Sequence, residues 1–300
     1  MKTIVNKFTG FGNIGLAQIS CRPETTFMFK AGGPEMKSGG LVITEATENG
    51  TVGKLTAVNN TDSFLLLTDS DVLTGAKQNR IINKSVLLAP FSKTSIDVSC
   101  VERLRWQYTG KTFSSGTSAD HNLRKTKAAS MSAIRKTPGE SYMTQSNVWS
   151  HINMSFSEEK LFTVTESYND LAAHHMRSRE SEFPVCEAEA GCNGIAVVSE
   201  GKVQCIDLFG TEDVYRYYFP LLRDSAFRIA ATGKNIQPVD MHEANFRVLD
   251  ALDRLEPVER TADKSYNASG IMNIAEMDDL IGFELMSGGE LIHKAVFTNK

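Results

Sequence analysis

The first hundred residues contain short apolar segments separated by turn residues. Each segment is roughly four to eight residues long, carries β-branched or alternating apolar positions, and ends at Gly, Asn, Asp or Pro, as strands do. The segments are Leu41–Thr47, Gly53–Asn59, Phe64–Leu67, Ile81–Leu88 and Ile96–Val101. Their number and spacing predict an antiparallel, β-rich N-terminal half, built as a sandwich or a barrel-like sheet.

Helical spacing and capping residues follow in the middle of the chain, and strand patterns return near its end. The predicted helices are 122–135, 144–155, 168–179, one that begins after Thr211, and one at 241–255 behind Asp240. Two predicted β-pairs are 194–198 with 202–208 and 281–286 with 291–297. These elements predict an α+β fold, with sheet first, then helices, then a mixed C-terminal part.

The length of 300 residues suits one large domain or two ordinary ones. Residues 181–194 contain Pro184 together with several Glu and Gly residues, which is typical of a link. We therefore expect a β-rich domain with a helical extension at residues 1–180. An α+β part at residues 194–300 would follow, packed either separately or as one body with the first.

Composition and charge narrow the function classes. Hydrophobic residues make up 41% of the chain and charged residues 23%, which excludes wholesale disorder. The net charge of −4 argues against a general nucleic-acid binder. Residues 102–140 are an exception, since eight Lys or Arg stand against three Asp or Glu there. They predict a long exposed loop with a helix, and a docking surface for an acidic partner such as a second copy of the chain.

Other patterns bear on compartment and cofactors. No apolar run approaches the roughly 20 residues of a membrane span, and the N-terminal residues lack the apolar core of a signal peptide. The five cysteines are odd in number and mostly far apart, which favours reduced thiols. We expect a cytoplasmic protein with no membrane partner, no cofactor and no metal. His174 and His175 are adjacent on a predicted helix, so they cannot face one metal ion together.

Two local motifs have a functional and a structural interpretation. Residues 10–15 satisfy the G-x-G-x-x-G pattern of dinucleotide-binding folds, but Asn6 and Lys7 precede it where a buried strand is needed. A glycine-rich turn is the favoured interpretation. Cys100 is near Arg103 in sequence, but strand alternation puts the two on opposite faces, which favours a buried structural thiol over a nucleophile.

Two polar clusters at strand ends carry the strongest chemical signal. If strands 81–88 and 96–101 pair as a hairpin, the residues flanking them come together. Arginine and lysine suit phosphate, tryptophan offers a stacking face, and a carboxylate can hold a hydroxyl or act as a general base. A salt-bridge network around a half-buried tryptophan, without any ligand, is the alternative. The residues concerned are Lys77, Gln78, Asn79, Arg80, Glu102, Arg105 and Trp106.

The segments GAKQNRIINKSVLLAP and IDVSCVERLRW, which contain these clusters, resemble a family named for its association with ADP-ribosylglycohydrolases and rhodanese-phosphatase superfamily proteins. The later segments GIAVVSEGKVQCIDLFG and ELIHKAVF are similar to its C-terminal part. The resemblance implies ligands of the ADP-ribose or NAD type. Leu104 stands where the family pattern has Gly, and Asp97 where it has Pro. Leu104 would be strained if the backbone at position 104 required a positive φ.

The clusters and the resemblance together predict a protein that binds or processes an ADP-ribose-type or NAD-type nucleotide. Glu102 is the candidate catalytic residue, since it could hold a ribose hydroxyl or act as a base in hydrolysis. The expected binding contacts are phosphate with Lys77, Arg80 and Arg105, the base with Trp106, and ribose or ring edges with Gln78 and Asn79. The alternative is a non-catalytic β-rich scaffold or interaction module that assembles with copies of itself.

Overall fold

The structure is a computed structural model that describes residues 2–22, 24–136, 143–231 and 237–298. Its helices are α1 (Gly32–Ser38), α2 (His121–Lys136), α3 (Met143–Glu158), α4 (Tyr168–Arg179), α5 (Glu212–Phe227) and α6 (Met241–Leu255). Its strands are β1 (Lys2–Phe11), β2 (Ile14–Arg22), β3 (Phe29–Ala31), β4 (Leu41–Glu45), β5 (Lys54–Asn59), β6 (Phe64–Leu67), β7 (Asp71–Gly75), β8 (Arg80–Ile82), β9 (Val86–Leu88), β10 (Ser92–Cys100), β11 (Phe113–Ser118), β12 (Gly194–Ser199), β13 (Lys202–Phe209), β14 (Thr261–Ala262), β15 (Ile271–Glu276), β16 (Leu280–Ser287) and β17 (Glu290–Thr298). The α+β fold class is confirmed.

The chain divides into two compact units. Unit 1 comprises Met1–Met28, Arg179–Tyr266 and Gly270–Lys300, and unit 2 comprises Phe29–Ser178 and Asn267–Ser269. One boundary therefore lies close to the expected link. The N-terminal strands belong with the C-terminal part, because β2 pairs antiparallel with β12 along six residues of each strand.

Unit 1 is built on an eight-stranded sheet in the order β1-β2-β12-β13-β17-β16-β15-β14, and all of its strand pairs are antiparallel. Helix α6 begins after Asp240, whose carboxylate accepts a hydrogen bond from the Glu243 amide at 2.8 Å. The apolar stripe of α6 joins the sheet in one core, with Ala244, Val248 and Leu252 among its members. Residues 10–15 form the tight turn of the β1–β2 hairpin, so the glycine-rich-turn interpretation is confirmed.

Unit 2 contains a six-stranded sheet, β11-β7-β8-β10-β5-β4, and a three-stranded sheet, β3-β6-β9. The predicted strand 81–88 is in fact two strands, β8 in the larger sheet and β9 in the smaller one. Asn83 marks the change of sheet, since its amide donates to the Asp97 carbonyl and its side chain accepts from the Ser99 hydroxyl. Helices α2, α3 and α4 share a core with the larger sheet, through residues such as Leu123, Val148, Ile152, Leu171, Val72 and Val101.

The basic segment 102–140 differs from the sequence-based expectation of a long exposed loop. Residues 113–118 form β11, which pairs with β7. Arg124 and Lys127 are buried in α2, and Arg124 forms a bidentate ion pair with Asp69 at 2.9 Å through both contacts. The predicted docking surface is therefore wrong for these two residues, because a buried cation cannot meet a partner. Within the described ranges, no helix is long and apolar enough to cross a membrane.

Candidate functional site

Pairing of β8 with β10 brings the two polar clusters together in unit 2. The antiparallel register places Arg80 opposite Cys100 and Ile81 opposite Ser99. One residue farther on, the Val101 amide donates to the Asn79 carbonyl at 3.0 Å. We call residues 75–80 the lysine loop and residues 101–109 the tryptophan loop. The structure thus places these two loops side by side at the same end of the sheet.

An ion pair between Glu102 and Arg105 joins the two loops. Arg105 donates from Nε to Glu102 Oε1 at 2.8 Å and from Nη2 to Glu102 Oε2 at 2.6 Å, and both side chains are largely buried. Glu102 Oε2 also accepts from the Asn79 amide at 2.9 Å. Burial raises the pKa of Glu102, but hydrogen bonds from Arg105, Asn79 and Thr165 outweigh it and hold the pKa below its ordinary value. Glu102 is therefore an ionised acceptor with both oxygens engaged.

The remaining donors of Arg105 hold the lysine loop in an uncommon backbone conformation. Arg105 Nη1 donates to the Ala76 carbonyl at 2.6 Å, and Nη2 donates to the Gly75 carbonyl at 3.2 Å. Gly75 has φ 132° and Ala76 has φ 42°, values that L-residues adopt rarely. The Thr109 amide also donates to Ala76 at 3.0 Å. The guanidinium therefore acts as a clamp on this turn, and its donors point at protein groups rather than outward.

Asn79 and Gln78 are also buried and engaged within the protein. Asn79 Oδ1 accepts from Arg105 Nη2 and from the Gly75 amide, and its Nδ2 donates to the Ser167 hydroxyl at 3.0 Å. Gln78 Oε1 accepts from Arg80 Nη1 at 3.1 Å. These contacts use the polar atoms that the sequence-based expectation assigned to ribose or ring edges. Both side chains support the shape of the lysine loop.

Arg80 is fully buried, and its guanidinium is satisfied on one side only. Nη1 donates to the Gln78 side chain and carbonyl, whereas Nε and Nη2 have no hydrogen-bond partner among the described residues. The nearest carboxylate oxygen, Glu45 Oε1, lies 3.7 Å from Nη2, and Glu45 Oε2 is likewise without a partner there. The guanidinium carbon lies 5.7 Å from the centre of the Trp106 ring. A buried charge whose donors lack hydrogen-bond partners is costly, and Glu45 is the nearest counter-charge that offsets this cost.

Lys77, which is half-buried, and the exposed Trp106 and Tyr108 form the outer face of the two loops, and we call them the cation–aromatic face. The Lys77 ammonium lies 5.4 Å from the centre of the Trp106 ring and 5.0 Å from that of Tyr108. Trp106 is 44% exposed and Tyr108 49% exposed. The Tyr108 hydroxyl donates to the Glu48 carbonyl at 2.9 Å, which fixes the ring. The ammonium makes no hydrogen bond or ion pair with any described residue.

The sequence-based candidates thus fall into two groups. Trp106 is exposed and Lys77 is half-buried, whereas Gln78, Asn79, Arg80, Glu102 and Arg105 are buried or largely buried. Sequence reasoning missed Tyr108 and Glu45. Tyr108 could have been found, because it follows Trp106 by two residues and alternate residues of an extended segment share a face. Leu104, at the family glycine position, has a negative backbone φ and is exposed, so it carries no strain from a positive φ.

Other candidate chemistry is not assembled into a site. Cys100 is buried, and burial raises the pKa of its thiol, as expected of a structural cysteine rather than a nucleophile. His175 of α4 lies 3.1 Å from Glu159, the residue that follows α3. Among the described residues there is no group of three or more His, Cys, Asp or Glu side chains that could hold a metal ion.

The family model of the ARG and rhodanese-phosphatase-superfamily-associated protein (ARPP-1) domain matches residues 4–297 of this chain. The match spans both units and includes both loops of the candidate site. No curated protein and no solved structure matches the chain.

Proposed function

We propose that this chain, which belongs to the ARG and rhodanese-phosphatase-superfamily-associated protein family, binds a nucleotide of the ADP-ribose or NAD type. The binding surface is the cation–aromatic face of Lys77, Trp106 and Tyr108, with the Arg80 guanidinium beneath Trp106. The family name records an association with ARG proteins, and the ligand class rests on that association together with the chemistry of this face.

The observation that carries the proposal is the half-buried ammonium of Lys77, which lies against the exposed rings of Trp106 and Tyr108. Base–aromatic stacking contributes about 1–3 kcal/mol per base, and a hydrogen bond to a charged group about 1.5–3 kcal/mol. A dinucleotide-like ligand has both features, a flat base and a diphosphate. Trp106 would stack on the base, and Lys77 would donate to the diphosphate, with the positive charge of Arg80 nearby.

The buried network behind the face supports the same proposal. The clamp formed by Arg105 and Glu102 holds Ala76 at a φ of 42°, which costs about 1–3 kcal/mol for a residue other than glycine. Such a cost is typical of loops whose geometry matters for a ligand. The clamp presents Lys77 and Trp106 in a fixed arrangement, so less conformational entropy is lost when a ligand binds.

Glu102 is better suited to positioning than to catalysis. A general base must direct a lone pair at the proton that it removes. Both Glu102 oxygens accept from Arg105, and the lowered pKa of the carboxyl makes it a weak base. We therefore propose binding, with Glu102, Arg105 and Asn79 as residues that position the loops, rather than hydrolysis with Glu102 as its base.

Calorimetric titration with ADP-ribose and NAD tests the proposal. We expect saturable binding whose Kd rises about tenfold or more in Trp106→Ala and in Lys77→Ala, as the loss of one stacked base or one charged contact implies. The matched controls are Phe246→Ala and Lys93→Ala, which remove an exposed aromatic ring and an exposed lysine elsewhere. Equal affinities in all four variants would contradict the assignment of the site.

Fluorescence locates the ligand independently of affinity. The chain has two tryptophans, Trp106 and Trp149. In a Trp149→Phe background, stacking of a base on Trp106 should quench the remaining emission in proportion to the calorimetric occupancy. If the calorimetric titration saturates while the Trp106 emission stays constant, the ligand binds elsewhere.

Phosphorus NMR of NAD and ADP-ribose incubated with the protein separates binding from turnover. Line broadening without new resonances agrees with the proposed binding function, whereas new resonances would reveal hydrolysis. If neither nucleotide binds or raises the melting temperature, and Lys77→Ala and Arg80→Ala lower it, the non-catalytic scaffold function replaces the proposal.

A further inference from the structure

An open cleft in the surface of unit 2 lies between α4 and the segment that precedes it. It has a volume of about 810 Å³ and is lined by Leu161, Thr163, Val164, Thr165, Asp170, His174 and Arg177. Small-molecule sites usually have volumes of roughly 300–1,000 Å³. The cleft is therefore large enough for a small organic ligand, and none of Lys77, Trp106 and Tyr108 lines it.

The polar wall of the cleft is one face of α4. Asp170, His174 and Arg177 stand at positions i, i+4 and i+7 of this helix, which share a face. The opposite face, with Leu171 and Ala172, is packed in the core of unit 2. The rigid side of the helix thus fixes the backbone from which the three polar side chains project toward the cleft.

The C-terminal end of this wall carries the cationic side chain of Arg177, which can bind an anion. Arg177 donates from Nε to the carbonyl of Ala173 at 3.3 Å, and its other guanidinium nitrogens make no hydrogen bond with a described residue. A guanidinium binds carboxylate or phosphate with two parallel hydrogen bonds. His174 lies one helical turn before it on the same face, with its ring 5.9 Å from that of His175. Asp170 lies a further turn away and can accept from a hydroxyl or amino group.

The facing wall is apolar and unusually exposed. Leu161 and Val164 line the cleft, and Val164 is 89% exposed while neighbouring Phe162 is 93% exposed. Large apolar side chains at this exposure are costly to leave in water, and clusters of them mark ligand or interaction sites. An apolar wall opposite a cationic one suits a ligand with an apolar body and an anionic head.

We propose that this cleft binds a small organic anion with an apolar body, a carboxylate or a phosphate ester. Arg177, with His174 beside it, holds the anionic head, Leu161 and Val164 contact the body, and Asp170 accepts a hydrogen bond from a hydroxyl or amino substituent. This site is distinct from the cation–aromatic face and does not depend on nucleotide binding there.

Thr165 connects the cleft to the nucleotide site structurally. It lines the cleft, its carbonyl accepts from the amides of Arg103 and Leu104, and its side chain hydrogen-bonds the Glu102 carboxylate. Thr165 therefore forms a wall of the cleft that also contacts the tryptophan loop of the nucleotide site. A variant on the far wall of the cleft, at Arg177, leaves that shared wall intact and tests the cleft alone.

The test is a calorimetric and saturation-transfer NMR titration of the protein with phenyl phosphate and, separately, with benzoate. We expect saturable binding of at least one probe, weakened about tenfold or more in Arg177→Ala, as the loss of a charged hydrogen bond implies. Val164→Asp, which adds a negative charge to an exposed position, should weaken the same probe. Arg247→Ala, an exposed arginine of α6 that lines no part of the cleft, is the matched control and should leave the affinity unchanged.

The comparison of the two probes identifies the head group, since tighter binding of phenyl phosphate indicates a phosphate ester and tighter binding of benzoate a carboxylate. The inference is overturned if neither probe binds saturably, or if Arg177→Ala binds as tightly as the unmodified protein. It is also overturned if the probe is lost in Trp106→Ala but retained in Arg177→Ala. That last result would move the probe to the nucleotide face and leave the proposed function standing.

Discussion

Lys127 allows a quantitative test of the fold, because it is a cationic residue with no access to water. Its Nζ donates hydrogen bonds to the backbone carbonyls of Asp69 and Ile82, and its side chain is fully buried. Burial lowers the pKa of Lys127 from 10.5 to about 7, although the Asp69 carboxylate opposes part of this effect. Two carbonyl acceptors match the two N–H groups of a neutral amine.

The sign of the pH dependence follows from the two pKa values of Lys127. In the unfolded chain the amine stays protonated up to about pH 10.5, whereas in the folded chain it loses its proton above about pH 7. Between these values unfolding takes up a proton, so the free energy of unfolding rises with pH by about 1.4 kcal/mol per pH unit. The full cost of burying the charge, about 5 kcal/mol, is present below pH 7 and disappears toward pH 10.5.

Urea unfolding at several pH values between 7.5 and 9 measures this slope, with Lys127→Met as the perturbation. Over that interval the unmodified protein should gain about 2 kcal/mol relative to the variant. The variant leaves the two carbonyls without their donor, which changes its stability by a similar amount at every pH and therefore does not alter the slope. Other titrating groups are common to both proteins and cancel in the difference.

The exposed Lys93 provides the matched control, because Lys93→Met should not change the slope. Parallel stability curves for the unmodified protein and Lys127→Met would refute the reasoning, since they would show that Lys127 holds its proton equally in both states. That result would mean that the carboxylates of Asp69 and Asp71 offset the effect of burial on the pKa of Lys127.

Two further predictions concern the Glu102–Arg105 ion pair of unit 2 and the sheet of unit 1. Glu102→Gln should lower the free energy of unfolding by about 3 kcal/mol at neutral pH, because it leaves the largely buried guanidinium of Arg105 without its counter-ion. Urea unfolding at pH 7 measures this loss. A loss below about 1 kcal/mol would mean that the ion pair is solvated. Gly194→Ala should lower the free energy of unfolding by about 1–3 kcal/mol, because an added Cβ would lie 2.9 Å from the Asp207 carbonyl oxygen and 2.5 Å from the Leu208 side chain. An unchanged melting temperature would show that β13 shifts to accept the Cβ without strain.

The candidate site shows where sequence reasoning succeeds and where it stops. The antiparallel strands it predicted do bring the clusters around Arg80 and Glu102 together. It could not tell which charged groups would meet a ligand and which would meet each other. Arg105 finds a carboxylate and three carbonyls within the protein, because a largely buried guanidinium must satisfy its donors internally. Lys77 instead lies half-buried against the rings of Trp106 and Tyr108 and makes no hydrogen bond with a described residue.

The sequence by itself determined the elements whose signals are local. The bounds of α4 and α6 follow from apolar periodicity, and Asp240 caps α6 as its position predicts. Only the tertiary structure decided the burial of Lys127, the division of residues 81–88 between two sheets, and the pairing of the N-terminal strands with β12. Caps and periodicity act over a few residues, whereas burial and sheet pairing depend on segments far apart in the chain, whose mutual positions no local pattern encodes.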